Sequence, residues 1–484
     1  MNYLPEYFPY LLGALYLLLE VAAIIASIEA ILGDRSSQSA IAWTLVLVMF
    51  PVIGLPLYLV FGGRKFSGYV NARRSGNEPL QRLIQETSKQ IPERALATFA
   101  TGELDHKVLS KLARMPFFAG NRSRLLIDGD ATFAAIFDAI DNASEYVLVQ
   151  FYIVRDDDLG RKLQHKLIRK ARQKVRVYFL YDAIGSNALP AAYLLTLQQA
   201  GVETAEFSGG GRHGGHPFRM NFRNHRKIVV IDGRYAFVGG HNVGVEYLGL
   251  SEERDMRPWR DTHVMIEGPA ALGVQLAFIE DWYWITQQIL PVRTTPVFAE
   301  DADQRVLVLP TGPADELDTC GLLFTELIHS ARRRIWIVSP YFVPDDPVIS
   351  ALQIAALRGV DVRIMLPEKV DHLLVYLAKF SYLEETLPCG IKFFSYQRGF
   401  LHNKVFLVDE QLAGVGTANL DNRSFRLNFE ITLLFAERDF VDEVERMLLR
   451  DFEHCREMSL HEIERRSLWF KLATRIARLF SPVL

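Results

Sequence analysis

The chain has 484 residues, room for about three domain-sized units. With 49% apolar and 23% charged residues it can bury an ordinary globular core. A net charge of −3 excludes a general polyanion binder, so phosphate recognition has to come from local arrangement.

The N-terminus differs from the rest. Phe8 to Ile28 holds one charge, Glu20, and Ala40 to Phe61 holds none. About 20 apolar residues at a rise of roughly 1.5 Å cross a bilayer core of about 30 Å. Residues 1–63 therefore read as a transmembrane hairpin with two membrane segments, about 8–32 and 40–61. No basic region precedes the first segment and a second follows at once, which argues against a secretory signal. Pro51, Gly54 and Pro56 predict a kink or a shallow re-entrant path in the second segment. Arg64, Lys65, Arg73 and Arg74 follow it, whereas only Arg35 lies between the two. That excess puts the following domain on the cytoplasmic side. Cys320, Cys389 and Cys455 are odd in number and far apart, which fits a reducing compartment and no thiolate metal site.

Residues 64–118, interrupted by Pro79, Pro92 and Pro116, read as a linker with one or two polar helices. From about residue 119 the chain repeats itself. Glu145-Tyr-Val-Leu-Val-Gln-Phe-Tyr-Ile-Val154 is similar to Arg334-Ile-Trp-Ile-Val-Ser-Pro-Tyr-Phe-Val343, and Val175–Leu180 is echoed by Val360–Met365. Short β-branched and aromatic runs alternating with helical stretches predict an α/β sheet in each half. A duplicated domain follows, with repeats at 119–300 and 301–460. Residues 461–484 read as a basic amphipathic helix. Leu468, Leu472, Ile476 and Leu479 share a face among five basic residues, suited either to anionic lipid or to packing on the domain.

The sharpest repeat is His225-Arg-Lys227-Ile-Val-Val-Ile-Asp232 with Gly239 and Asn242 downstream. Its partner is His402-Asn-Lys404-Val-Phe-Leu-Val-Asp409 with Gly416 and Asn419. Both histidines and both asparagines are separated by 177 residues. On a straight strand His225 and Lys227 share a face, as do His402 and Lys404. Asp232 and Asp409 sit at an odd offset and would face away. They belong to the motif, and turn-forming or scaffold roles suit them better than proton transfer. An imidazole, an ammonium and an amide, doubled, suit phosphodiester cleavage without a metal or cofactor. The lysines, Asn242 and Asn419 would hold the phosphate oxygens. One neutral histidine would attack phosphorus, and the other, protonated, would serve the leaving oxygen. Spacing cannot rank the two. Asp261 and Glu430 are candidates for orienting the histidines.

These paired motifs resemble those of the phospholipase D superfamily. Asn419–Glu430, Ser339–Pro344 and Trp259–Val264 are similar to stretches of bacterial cardiolipin synthases. The resemblance covers nearly the whole chain. It implies two α/β/α lobes with the site between them, and the conversion of two phosphatidylglycerols to cardiolipin and glycerol. It implies His225 as nucleophile, His402 as acid and base, and a multi-pass protein of the bacterial inner membrane. Phosphatidylglycerol and anionic lipid are then the partners. The alternatives are a phospholipase D releasing phosphatidic acid, or another phosphatidyltransferase. The missing basic stripe argues against a nucleic-acid partner. Nothing in the sequence sets the oligomeric state, a homodimer included. The glycine-rich Ser208–Pro217 reads as a loop at the lip of the cleft rather than a phosphate cradle. His213, His216, His225 and His241 lack zinc-site spacing.

Overall fold

The computed structural model describes residues 8–33, 37–62, 78–99, 106–208, 222–250, 256–369 and 371–484. At its centre one strand order is used twice. From the outer edge of the first half it runs Glu203–Phe207, Arg176–Asp182, Tyr146–Phe151, Ile228–Ile231, Tyr235–Gly239, Thr262–Glu267 and Phe118–Ile127. In the second half it runs Lys392–Tyr396, Asp361–Pro367, Arg334–Val338, Val405–Val408, Leu412–Gly416, Asn428–Phe435 and Gln304–Thr311. Cys455–Glu457 is added at that outer edge. The halves join where Phe118–Ile127 runs antiparallel to Gln304–Thr311, with Phe118 opposite Val306.

Each half has an outer block of parallel strands, which need both faces covered. Tyr146–Phe151 is buried at every position for that reason. Helix Asp158–Arg172 covers one face with Leu159, Leu163, Leu167 and Ile168, spaced to share a stripe. Each such side chain contributes about 1.5–3 kcal/mol by leaving water. Asp157 caps this helix by accepting the Gly160 N–H, worth about 1 kcal/mol. The opposite layer is common to both halves: one apolar cluster runs from Leu148 and Val230 through Phe278 and Val308 to Val338 and Leu433. The two lobes therefore cannot move apart without opening a core.

The N-terminal segment departs from two clean crossings. Phe8–Leu32 is long and apolar enough to cross a membrane. The second segment is broken into helices Ser37–Met49 and Pro51–Phe61, each too short to do so. Pro51 starts a new helix at its N-terminal turn, where a missing N–H costs nothing. The ring centroids of Trp43 and Tyr58 lie 5.2 Å apart. On one straight helix 15 residues would separate them by about 22 Å. The second segment folds back on itself, and Ala23, Ala26, Ala30, Leu47 and Tyr58 form its small joint core with the first helix. Arg35, Arg64, Lys65, Arg73 and Arg74 lie outside the described residues.

Within 64–118 the described parts pack on the body rather than stand as a free linker. Leu80 and Leu83 join the common core, and Leu109, Ala113 and Phe117 join the core of the second lobe. The C-terminal helix Leu468–Arg478 lies along helix Leu373–Thr386. Phe470 packs on Phe380, with ring centroids 5.1 Å apart, and Arg475 and Arg478 pair with Glu384 and Glu385. Its apolar stripe faces outward: Leu468, Trp469 and Leu479 are 83%, 80% and 78% exposed.

Candidate active site

Two short strands leave their own repeat and pair with the other. Arg223–Asn224 runs parallel to the second repeat, with Asn224 opposite Phe429. The next residues are His225 and Glu430. The His225 N–H donates to the Phe429 carbonyl at 2.9 Å, and its ring Nδ1 lies 2.9 Å from Glu430 Oε2. Phe400–Leu401 repeats the arrangement from the other side, with Leu401 opposite Arg260. The His402 N–H donates to the Arg260 carbonyl at 2.8 Å, and its Nδ1 lies 2.7 Å from Asp261 Oδ2. Each histidine is held by the carboxylate of the opposite repeat. A carboxylate only accepts, so Nδ1 carries the hydrogen and Nε2 is left for chemistry.

The buried Glu430 is itself fixed. Thr417 Oγ1 donates to Oε2 at 2.5 Å, and Ser424 Oγ and Asn428 Nδ2 donate to Oε1 at 3.1 and 3.0 Å. Burial opposes its charge, but His225, Lys227 and Thr417 together hold it below the usual glutamate range. Burial pushes the His225 imidazole down to about 4, against the pull of Glu430. Burial, followed by the charges of Lys404 and Lys227, keeps His402 well below its ordinary value. The same two lysines, Lys227 and Lys404, act on both imidazoles. With no anion bound, both rings are neutral at pH 7.

The motif does not form one straight strand. Residues 225–227 and 402–404 lie in breaks between short strands. The lysines curl back: Lys227 Nζ donates to the His225 carbonyl and Lys404 Nζ to the His402 carbonyl, both at 2.6 Å. An ammonium has three donors, so each lysine keeps two for an anion. Burial lowers Lys404 to about 8 and Lys227 well below the usual lysine range. Asn242 accepts the Ile153 N–H through Oδ1 and donates to the Tyr247 hydroxyl. The Asn419 backbone N–H donates to Ser424 Oγ, while its Oδ1 is buried without a partner among the described residues.

Aromatic rings line both sides. Tyr152 packs edge-on to His225 at 5.0 Å. Tyr247, Trp259 and Phe400 surround His402 at 6.0, 5.5 and 6.0 Å. Gly240 is required here, because a Cβ on it would lie 2.0 Å from Asp261 Oδ1. Two buried arginines latch the lobes. Arg226 reaches Asp281 in its own repeat and the Glu430 and Thr311 carbonyls in the other. Arg260 grips Asp451 through two bonds and Asp128 through a third.

A family model described as cardiolipin synthase, PLD-like domain matches residues 136–260 and 324–452. The chain belongs to this cardiolipin synthase family. A second model, described as phospholipase D-nuclease N-terminal, matches residues 21–63. Cardiolipin synthase A of Pseudomonas putida is 47% identical over 485 residues, covering 99% of both chains. The same-named protein of Pseudomonas fluorescens is also 47% identical, over 99% of this chain and 100% of its own. Among solved structures, phosphatidylserine synthase of Haemophilus influenzae shares the fold at a TM-score of 0.59 and 15% identity. That match covers 78% of this chain and 99% of the other. As a member of the cardiolipin synthase family the chain is a phosphatidyltransferase.

In this family member the motif aspartates stand apart from the imidazoles. Asp232 accepts the N–H groups of Ser144, Glu145 and Tyr146 and the Ser144 hydroxyl, all at 2.8 Å. Asp409 accepts the N–H groups of Arg332, Arg333 and Arg334. Each clamps the start of a neighbouring strand from a turn with positive φ, 53° and 49°. Their oxygens are occupied at the far end of the strand from His225 and His402, a scaffold arrangement rather than one for proton transfer. Residues missed by sequence reasoning include Thr417, Ser424 and Asn428, which brace Glu430, and Tyr152 and Tyr247. Ser424 and Asn428 lie inside the family-like stretch Asn419–Glu430, so the sequence pattern contains them without their geometry. Among the described residues no group of three or more His, Cys, Asp or Glu side chains is arranged to hold a metal. His241 is buried against His263, Nδ1 to Nδ1 at 3.3 Å. The glycine-rich stretch from Gly209, with His213 and His216, lies outside the described residues.

Proposed function

We propose that the chain transfers a phosphatidyl group from one phosphatidylglycerol to another through a phosphohistidine at His225. The crossed pairing of His225 with Glu430 and of His402 with Asp261 is the observation that carries the reading. In the first step His225 Nε2 bonds to phosphorus and the bond from phosphorus to the glycerol oxygen breaks. His402, protonated, gives its Nε2 hydrogen to that oxygen, and glycerol leaves. In the second step the terminal hydroxyl of another phosphatidylglycerol gives its hydrogen to His402. Its oxygen bonds to phosphorus as the bond to His225 breaks, and cardiolipin forms. The neutral state of His225 suits the attack. His402 is also neutral in the empty site, and the bound phosphate anion, with Asp261 behind the ring, raises its proton affinity for the first step. Lys227, Lys404, the second amide hydrogen of Asn242 and the side-chain amide of Asn419 are proposed to hold the non-bridging oxygens.

The site works at a membrane in this reading. Helix Phe8–Leu32 crosses it, and the folded-back pair of shorter helices enters and returns on the side of the catalytic lobes. The run of basic residues that follows the second segment in the sequence makes that side cytoplasmic by the positive-inside rule. The outward apolar stripe of Leu468–Arg478 rests on the same surface.

The test is purified enzyme in vesicles of labelled phosphatidylglycerol. Cardiolipin plus glycerol is the expected product, with an acid-labile phosphoryl adduct on His225. His225→Ala abolishes the adduct. His402→Ala abolishes turnover of phosphatidylglycerol but still forms the adduct from a phosphatidyl p-nitrophenol ester, whose leaving group needs no proton. Phosphatidic acid as the sole product favours hydrolysis, and an adduct on His402 reverses the two roles.

A further inference from the structure

The duplication makes the two sides of the site alike in fold and unlike in the partner each gives one tyrosine. Tyr152 and Tyr341 occupy matching places, each just beyond the inner strand of its repeat. Tyr152 lies beside His225, and its phenol is bonded by Arg223, with the Asp182 carboxylate and Arg423 also acting on it. Tyr341 immediately precedes Phe342, which pairs with Leu420, the residue after the motif Asn419. Ser339 Oγ ties this corner together, accepting the Leu420 N–H and donating to the Tyr341 carbonyl. Here the phenol donates not to a neutral group but to Asp371 Oδ2, at 2.5 Å. The Asp371 carboxylate is 28% exposed, and its charge reaches both His402 and Lys404. On the His225 side the phenol meets a guanidinium, and on the His402 side it meets a carboxylate.

We propose that the Tyr341–Asp371 pair is the subsite for the glycerol head group, holding first the glycerol that leaves and then the glycerol end of the lipid that replaces it. This inference rests on the transferase reading above. A carboxylate repels phosphate but accepts strongly from hydroxyls, so this corner suits a neutral polyol. In both half-reactions the oxygen served by His402 belongs to a glycerol head group, so one subsite beside His402 serves both. Holding the incoming hydroxyl there raises its local concentration over water, which is what separates transfer from hydrolysis. The surroundings match a lipid acceptor. Helix Leu373–Thr386 starts two residues after Asp371 with Leu373 and Leu374 exposed, and the outward apolar stripe of the C-terminal helix lies along that same helix.

The experiment measures cardiolipin and phosphatidic acid in one reaction, with the full chain in phosphatidylglycerol vesicles. The ratio of the two does not depend on how much enzyme is folded. Asp371→Ala is expected to lower it by about tenfold or more, and Tyr341→Phe by about threefold, for the loss of charged and neutral hydrogen bonds. An unchanged ratio in either active variant overturns the proposal. Should Asp371→Ala fail to fold, Tyr341→Phe decides alone. A wild-type enzyme that makes only phosphatidic acid removes the transferase reading instead. The subsite is then read by competition between phosphatidylglycerol and phosphatidylmethanol, which lacks the polyol. Wild-type preference for phosphatidylglycerol that Asp371→Ala erases supports the subsite, and preference that survives the change refutes it.

Discussion

His225 Nδ1 and Glu430 Oε2 stand 2.9 Å apart although 205 residues separate them in the chain. The contact follows from one strand register, because Asn224 opposite Phe429 leaves His225 beside Glu430. A carboxylate in this position fixes the ring, the tautomer and the basicity of Nε2. Glu430→Gln keeps the shape but loses the charge, and its single carbonyl oxygen can accept from one donor set only, Thr417 with His225 or Ser424 with Asn428. It is expected to lower the rate of adduct formation on His225 by about 10³-fold or more, by analogy with other carboxylate-backed histidines. The check is single-turnover labelling beside circular dichroism. A near wild-type rate would reduce Glu430 to a packing role.

Asp232 makes the opposite prediction. Its carboxylate accepts four bonds at the start of strand Tyr146–Phe151, away from the imidazoles. Asp232→Ala should destabilise the first lobe by about 1–3 kcal/mol through the unpaired N–H groups. Adduct formation per folded molecule should stay unchanged. Thermal unfolding and active-site titration on the same sample separate the two effects, and loss of labelling in folded protein would give Asp232 a chemical role after all.

Arg260 tests the latch between the lobes. It is 6% exposed and pairs with Asp451 of the second repeat and Asp128 of the first. Arg260→Ala leaves Asp451 buried without its cation, a loss of about 3–5 kcal/mol. Because the Arg260 carbonyl also receives the His402 N–H, Arg260→Lys should keep most of the fold yet lower turnover through a misplaced His402. Unfolding in detergent and turnover in vesicles measure the two.

The pH dependence follows from two shifted groups. Burial takes His225 down to about 4, so it stays neutral and nucleophilic well below the ordinary histidine range. Burial takes Lys404 down to about 8, so its charge is present at pH 7 and is lost as pH rises through 8. The kcat/KM for adduct formation from the phosphatidyl p-nitrophenol ester, whose leaving group needs no proton from His402, is therefore expected to fall on the alkaline side near 8. On the acid side it should hold until pH approaches 4. An acid limb near 6.5 would place His225 in water rather than in a buried site.

Much of this was legible in the chain. The doubled His, Lys, Asp, Gly and Asn pattern, offset by 177 residues, marks two copies of one unit, and two copies supply the two imidazoles the chemistry needs. Strand-forming runs at matching places predict the repeated sheet, because burial on both faces demands β-branched and aromatic residues. The prolines of the second apolar segment forecast its break at Pro51. Asp261 and Glu430 could be named as orienting candidates but not assigned to a ring.

That assignment belongs to the tertiary structure. Spacing within a repeat is local information, whereas the crossed carboxylates arise where each repeat lends a short strand to the other, and no local pattern encodes that register. The same reason hides the hydrogen-bond partners of Tyr152 and Tyr341, which look alike in sequence and differ only in what folding brings against them. It also decides which way the C-terminal stripe points: its spacing fits core or membrane equally, and Phe470 on Phe380 turns Leu468 and Trp469 outward.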